Sequence, residues 1–122
     1  MQKHSPINRS RLRVFLVAAL LTSASLAATP EFEIEIQNHL FQPETITIPA
    51  NTKVKLLIYN RDPTPEEFES YELNREKVIL GGRKAIVFIG PLSSGEYSFF
   101  GEFNPQTALG TILVTAANDV AK

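Results

Sequence analysis

From Phe32 onward the apolar residues of this chain recur at every second position, the period that builds a half-buried sheet. Phe32, Ile34 and Ile36 alternate with Glu33 and Glu35. After a Gln42-Pro43-Glu44 turn, Ile46 and Ile48 alternate with Thr45 and Thr47. Beyond a second turn at Pro49-Ala50-Asn51-Thr52, Val54, Leu56 and Ile58 share one face of a third strand, with Leu57 and Tyr59 on the other. Arg61 to Pro65 reads as a loop, because two prolines remove donors and fix φ. Glu66 to Leu73 reads as a weaker strand carried by Phe68 and Tyr71, and Asn74 to Lys77 as a single helical turn. Ala85 to Ile89, Tyr97 to Phe100 and Thr111 to Thr115 complete the set, and Ala116 to Lys122 is expected to fray. About seven strands with turns at this spacing predict an all-β Greek-key β-sandwich. The chain has no cysteine, so its stability must come from packing and sheet hydrogen bonds.

The first residues read as an address. Lys3, Arg9, Arg11 and Arg13 precede the apolar run Val14-Phe15-Leu16-Val17-Ala18-Ala19-Leu20-Leu21, and Ser25-Leu26-Ala27 supplies a small-x-small cleavage pattern. Thr22, Ser23 and Ser25 interrupt the run short of the roughly 20 apolar residues that a spanning helix needs. The expectation is a signal peptide at 1–27, cleaved after Ala27, with no membrane anchor afterwards. A single domain then occupies 28–122, its core at about 32–115. Removing 27 of 122 residues takes away four basic residues and no acidic one, leaving 8 basic against 13 acidic and a net charge of −5 with His neutral. Such a surface argues against nucleic acid, whose phosphates need a basic face. It suits cations or a basic partner.

Four segments resemble the cupredoxin family, in order and at matching spacing. Phe41 to Val54 is similar to its F-x-P-x-x-I-x-V-P-A-G-T-x-V opening, and Asn60 ends a strand where the family places Asn before its first His ligand. Gly95-Glu96-Tyr97-Ser98-Phe99-Phe100 resembles the approach to its Cys ligand, and Gly110-Thr111-Ile112-Leu113-Val114 its closing strand. Within that superfamily the chain resembles the EfeO-type domains, on Glu67-Phe68-Glu69-Ser70, Leu73, Glu76-Lys77 and Phe99-Phe100-Gly101-Glu102-Phe103-Asn104-Pro105. The resemblance implies a role in periplasmic iron acquisition, beside a periplasmic iron-binding protein or an inner-membrane iron permease.

Where the family carries Cys, His and Met, this chain has Gly101, Asn104 and Leu109. Pro65-Glu66-Glu67-Phe68 puts Glu66 at the place of the first His. A type 1 copper site needs a thiolate and two imidazoles, and from residue 28 the chain has no Cys, no Met and only His39. The sequence therefore excludes a blue-copper centre. Glu66, Glu67, Glu69 and Glu102 are the remaining candidate ligands, with His39 behind them. Their oxygens suit iron, or copper through oxygen ligands; the alternative is that they are solvated charges. His39 is either an exposed turn residue or a metal ligand or pH-sensitive contact. Phe68, Phe99, Phe100 and Phe103 are core and rim packing, or in the case of Phe103 part of a docking patch. Ser70, Ser93, Ser94 and Ser98 have only His39 as a possible base and no flanking nucleophile motif, so no enzyme is expected. Three readings stand: a metal-handling or docking accessory of iron uptake, a metal-free immunoglobulin-like adaptor, and an electron-transfer cupredoxin with an atypical metal site.

Overall fold

The computed structural model describes residues 2–4, 14–21 and 28–116. The stretches 5–13, 22–27 and 117–122, on which most of the expected basic leader, the expected cleavage site and the expected tail fall, lie outside the described residues. Among the described residues no helix is long and apolar enough to cross a membrane.

Residues 31–115 form nine strands: β1 (Glu31–Gln37), β2 (Leu40–Gln42), β3 (Thr45–Pro49), β4 (Val54–Asn60), β5 (Glu66–Ser70), β6 (Arg75–Ile79), β7 (Lys84–Ile89), β8 (Gly95–Gly101) and β9 (Leu109–Thr115). They make two sheets, in the order β2-β1-β4-β7 and β3-β9-β8-β5-β6. β1 runs parallel to β4 and β3 parallel to β9, while the other neighbours are antiparallel. The alternation read from the sequence faces inward as expected. Ile34, Ile36, Val54, Leu56, Ile58 and Ile112 are all fully buried. At the centre Phe99 stacks on Phe68 with ring centroids 5.0 Å apart, and Phe41 stands edge-on to both at 4.9 and 6.3 Å. Such pairs contribute about 0.5–1.5 kcal/mol each beyond their buried area.

Two elements depart from the expected seven strands. Asn74 to Lys77 is not a helical turn: Asn74 closes a turn that begins at Tyr71, and β6 starts at Arg75. β6 is an edge strand whose only buried residue is Ile79, and Arg75, Glu76 and Lys77 blunt that edge with charge. Its period-two signal is therefore absent. β2 has three residues, too few to show a period, and pairs with β1 across the Asn38-His39 turn. Asn38 and His39 have φ of 54° and 58°, the left-handed pair that a two-residue hairpin demands.

Candidate metal and docking site

At one end of the sandwich, three connections meet: the 38–39 hairpin, the 61–65 loop and the 102–108 loop. Asn60 is fully buried at the end of β4. It donates to the carbonyls of Thr64 (2.8 Å) and Ile79 (3.0 Å) and accepts the Asp62 N–H (3.0 Å), which fixes the proline-rich loop. The Asp62 carboxylate accepts the N–H groups of Asn38 (2.7 Å) and His39 (2.9 Å). It thereby satisfies the strained turn. His39 Nδ1 lies 3.7 Å from Asp62 Oδ2, and the His39 carbonyl accepts the Thr107 hydroxyl at 3.0 Å.

Glu66 opens β5 with its side chain turned inward, 2% exposed. Opposite residues of an antiparallel pair share a face, and Glu66 lies opposite the buried Ile79. One carboxylate oxygen accepts the N–H groups of Glu67 and Phe103, both at 2.9 Å, and the other accepts the Asn104 side-chain amide at 2.7 Å. All three hydrogen-bond partners donate to it. Gly101 packs directly beside it: a Cβ there would lie 2.6 Å from Glu66 Cδ and 2.7 Å from Ala108 Cβ. Asn104 also anchors the loop backbone, donating its N–H to Gly101 O (3.1 Å) and accepting from Ala108 N (2.9 Å). Glu66, Gly101 and Asn104 thus meet at one point, 35 residues or more apart in the chain between Glu66 and the loop. Leu109 does not join them; it lies opposite Phe100 on the outer face and is 54% exposed.

Glu67 and Glu69 occupy the opposite face of β5 from Glu66, as alternation requires. Glu69 lies opposite Glu76 on β6, and ligand oxygens of Glu67, Glu69 and Glu76 lie within 4.8 Å of one another. The Glu102 N–H donates to the Glu67 carbonyl at 2.9 Å, so its charge adjoins the same face. Glu69 has its pKa raised from 4.5, by partial burial first and then by the charges of Glu76, Glu67 and Glu102. The structure therefore divides the five sequence candidates. Glu67, Glu69 and Glu102 share the outer acidic face, Glu66 is buried behind it, and His39 pairs with Asp62. Glu76 is the acid that the sequence reading left out. Its signal was the symmetric hairpin about Tyr71-Glu72-Leu73-Asn74, which brings residues 69 and 76 into register. Of the aromatics, Phe68 and Phe99 are core, whereas Phe103 is 49% exposed and Tyr71 stands edge-on to Phe100 at 5.3 Å.

A raised carboxyl pKa means the folded state binds that proton more tightly than the unfolded chain. Stability is then gained as pH falls through the raised range, and repulsion costs stability above it. Glu69→Gln is accordingly expected to raise Tm at neutral pH, with the gain over wild type shrinking on acidification. Thermal unfolding of both proteins across the carboxylate range checks this; a pH-independent difference would contradict it. Glu35 acts in the opposite sense, its pKa lowered chiefly by the Arg61 hydrogen bond, so only the difference between the two proteins isolates Glu69.

A two-sheet sandwich with these parallel pairs and this loop end defines the class. The cupredoxin-like domain family matches residues 11–114, and the chain belongs to that family. An uncharacterized protein of Rickettsia prowazekii (strain Madrid E) is 42% identical over 84 residues, covering 69% of this chain and 67% of its relative. Among solved structures, auracyanin A, a blue copper protein of Chloroflexus aurantiacus, superposes with a TM-score of 0.62 at 11% identity, over 72% of this chain and all of that one. The metal-binding domain of a Cu(I)-exporting P-type ATPase of Streptococcus pneumoniae gives 0.62 at 15% identity, over 70% and 84%. These two likenesses are of fold. The residues that meet at the loop end here do not fit a type 1 copper ion. Glu66, Gly101 and Asn104 offer no thiolate and no imidazole, His39 on the neighbouring hairpin is a single imidazole where two are needed, and the carboxylate is already engaged by three N–H donors.

Proposed function

We propose that this chain is a non-enzymatic accessory module of periplasmic iron uptake, exported by a cleaved leader, that handles metal through oxygen donors on its outer acidic face. The observation that carries the reading is the convergence of Glu67, Glu69 and Glu76 within 4.8 Å, with Glu102 beside them. Burial first, and then the charges of Glu76, Glu67 and Glu102, raise the proton affinity of Glu69, and a cation relieves the charge part of that cost. Hard oxygens suit iron. A periplasmic iron-binding protein or an inner-membrane iron permease is the partner this role calls for. Copper held by the same oxygens is the competing cargo, since structures of similar fold carry copper.

The test is thermal unfolding with Fe(II), Fe(III) or Cu(II), for wild type and Glu69→Gln/Glu76→Gln. A ligand that binds only the folded state at 100 times its Kd stabilises by about 2.7 kcal/mol. Iron is expected to raise the Tm of wild type and leave that of the variant unchanged. Equal shifts, or none, would leave the acidic face a solvated surface. The metal-free adaptor would then take over, which the Glu66–Asn104 hydrogen bond favours by holding the loop end in shape with protein atoms alone.

A further inference from the structure

β6 is one edge strand of the five-stranded sheet and β7 one edge of the four-stranded sheet, and they lie side by side without pairing to each other. Between them opens a groove of about 610 Å³. Its walls are apolar, with Val78, Leu80 and Ile86 exposed by 48, 61 and 44%. Lys77, Arg83 and Lys84 also line it, and no Asp or Glu does. The remaining described cations from residue 28 onward are engaged elsewhere. Lys55 pairs with Glu31 and Arg61 with Glu35, Arg75 donates to the Phe88 carbonyl, and Lys53 sits over the Phe88 ring. Lys84 lies over the Tyr59 ring at 5.1 Å. Lys77 and Arg83 have no ion pair or side-chain hydrogen bond among the described residues. In a domain of net charge −5, the unengaged positive charge is gathered at one apolar groove.

We infer that this groove binds an acidic, extended segment of a partner protein, its apolar side chains on Val78, Leu80 and Ile86 and its carboxylates on Lys77 and Arg83. Charge complementarity selects the sign of the partner. The walls favour its shape: an open groove along two sheet edges suits an extended chain, whose alternate side chains face one wall. An anionic membrane is too broad for it. Glu67 lies directly opposite Val78, with Glu69 and Glu76 beside it, while Lys77 faces the other way, so a bound segment must turn its carboxylates to the Lys77 and Arg83 side, which a flat anionic surface cannot do. A second copy of this chain would set net negative charge against net negative charge. The inference is independent of whether the outer acidic face binds iron.

The experiment is a methyl and amide NMR titration in the presence of a chelator, which separates it from the metal question. The probe is a synthetic peptide alternating Glu with Val, and its control replaces each Glu with Lys. The Glu peptide is expected to produce saturable shifts at Val78, Leu80 and Ile86 that weaken with salt, and the Lys peptide none. Lys77→Glu/Arg83→Glu, with an otherwise unchanged amide spectrum, is expected to weaken binding by about tenfold or more. No shift at these residues would overturn the inference, as would equal binding by the variant. So would stronger perturbation by phosphatidylglycerol vesicles, or a concentration-dependent dimer that the double variant abolishes.

Discussion

Glu66→Ala is expected to destabilise the domain by about 2–4 kcal/mol, because a 2% exposed side chain and the acceptor of three donors are lost together. The truncation strips the acceptor from three donors at once: the N–H groups of Glu67 and Phe103 and the side-chain amide of Asn104. A fully buried donor left unpaired costs about 1–3 kcal/mol, and these part-buried ones less, since water reaches the loop. Because small domains have only about 5–15 kcal/mol in total, the change approaches the limit of folding. Glu66→Gln should be milder, about 1–2 kcal/mol. Its carbonyl oxygen can keep the two backbone donors, and Asn104 can turn its amide to present oxygen to the new NH2 group. Urea unfolding with an unchanged m-value measures both. Asn104→Asp is the mirror case, since it sets two carboxylates at hydrogen-bonding distance and should recover on acidification. Near-neutral effects for Ala and Gln alike would mean that Glu66 does not hold the loop.

Strands that bury one face were legible because alternation is a local property. β1, β3, β4 and the last pair all carry it in consecutive residues. β6 was not, since an edge strand with one buried side chain presents charge where the period should be. The acidic residues divide along the same line. In Glu66-Glu67-Phe68-Glu69-Ser70 the buried Phe68 sets the parity, so Glu66 and Ser70 must face inward with it and Glu67 and Glu69 outward. That parity was present in the sequence. The usual exposure of Glu pointed the other way, and the partners that make burial tolerable, Phe103 and Asn104, are 37 and 38 residues distant. Pairing of Glu69 with Glu76 likewise required the hairpin register, which a helical reading of Asn74 to Lys77 concealed. What lay beyond the sequence was long-range hydrogen bonding, and that is where the site is made.

Gly110→Ala is expected to cost about 3 kcal/mol, the upper end for overpacking a filled core. Gly110 pairs with Phe99 across β8 and β9, and the end of the Phe99 ring lies against the glycine. A Cβ would come 2.1, 2.3 and 2.7 Å from three of its ring carbons. The ring has no room to retreat. Phe99 is 1% exposed, stacked on Phe68 and edge-on to Phe41, so moving it displaces the aromatic centre that joins the two sheets. The backbone of Gly110 is not left-handed, so the penalty is steric alone and should be relieved by trimming the ring. Phe99→Leu in the Gly110→Ala background is therefore expected to be less destabilised than the two single changes predict together, with a coupling of about 1–3 kcal/mol. Thermal and urea unfolding of the four proteins closes the cycle. Simple additivity would show that the ring does not rest on Gly110, and the packing described for the centre of the sandwich would fail with it.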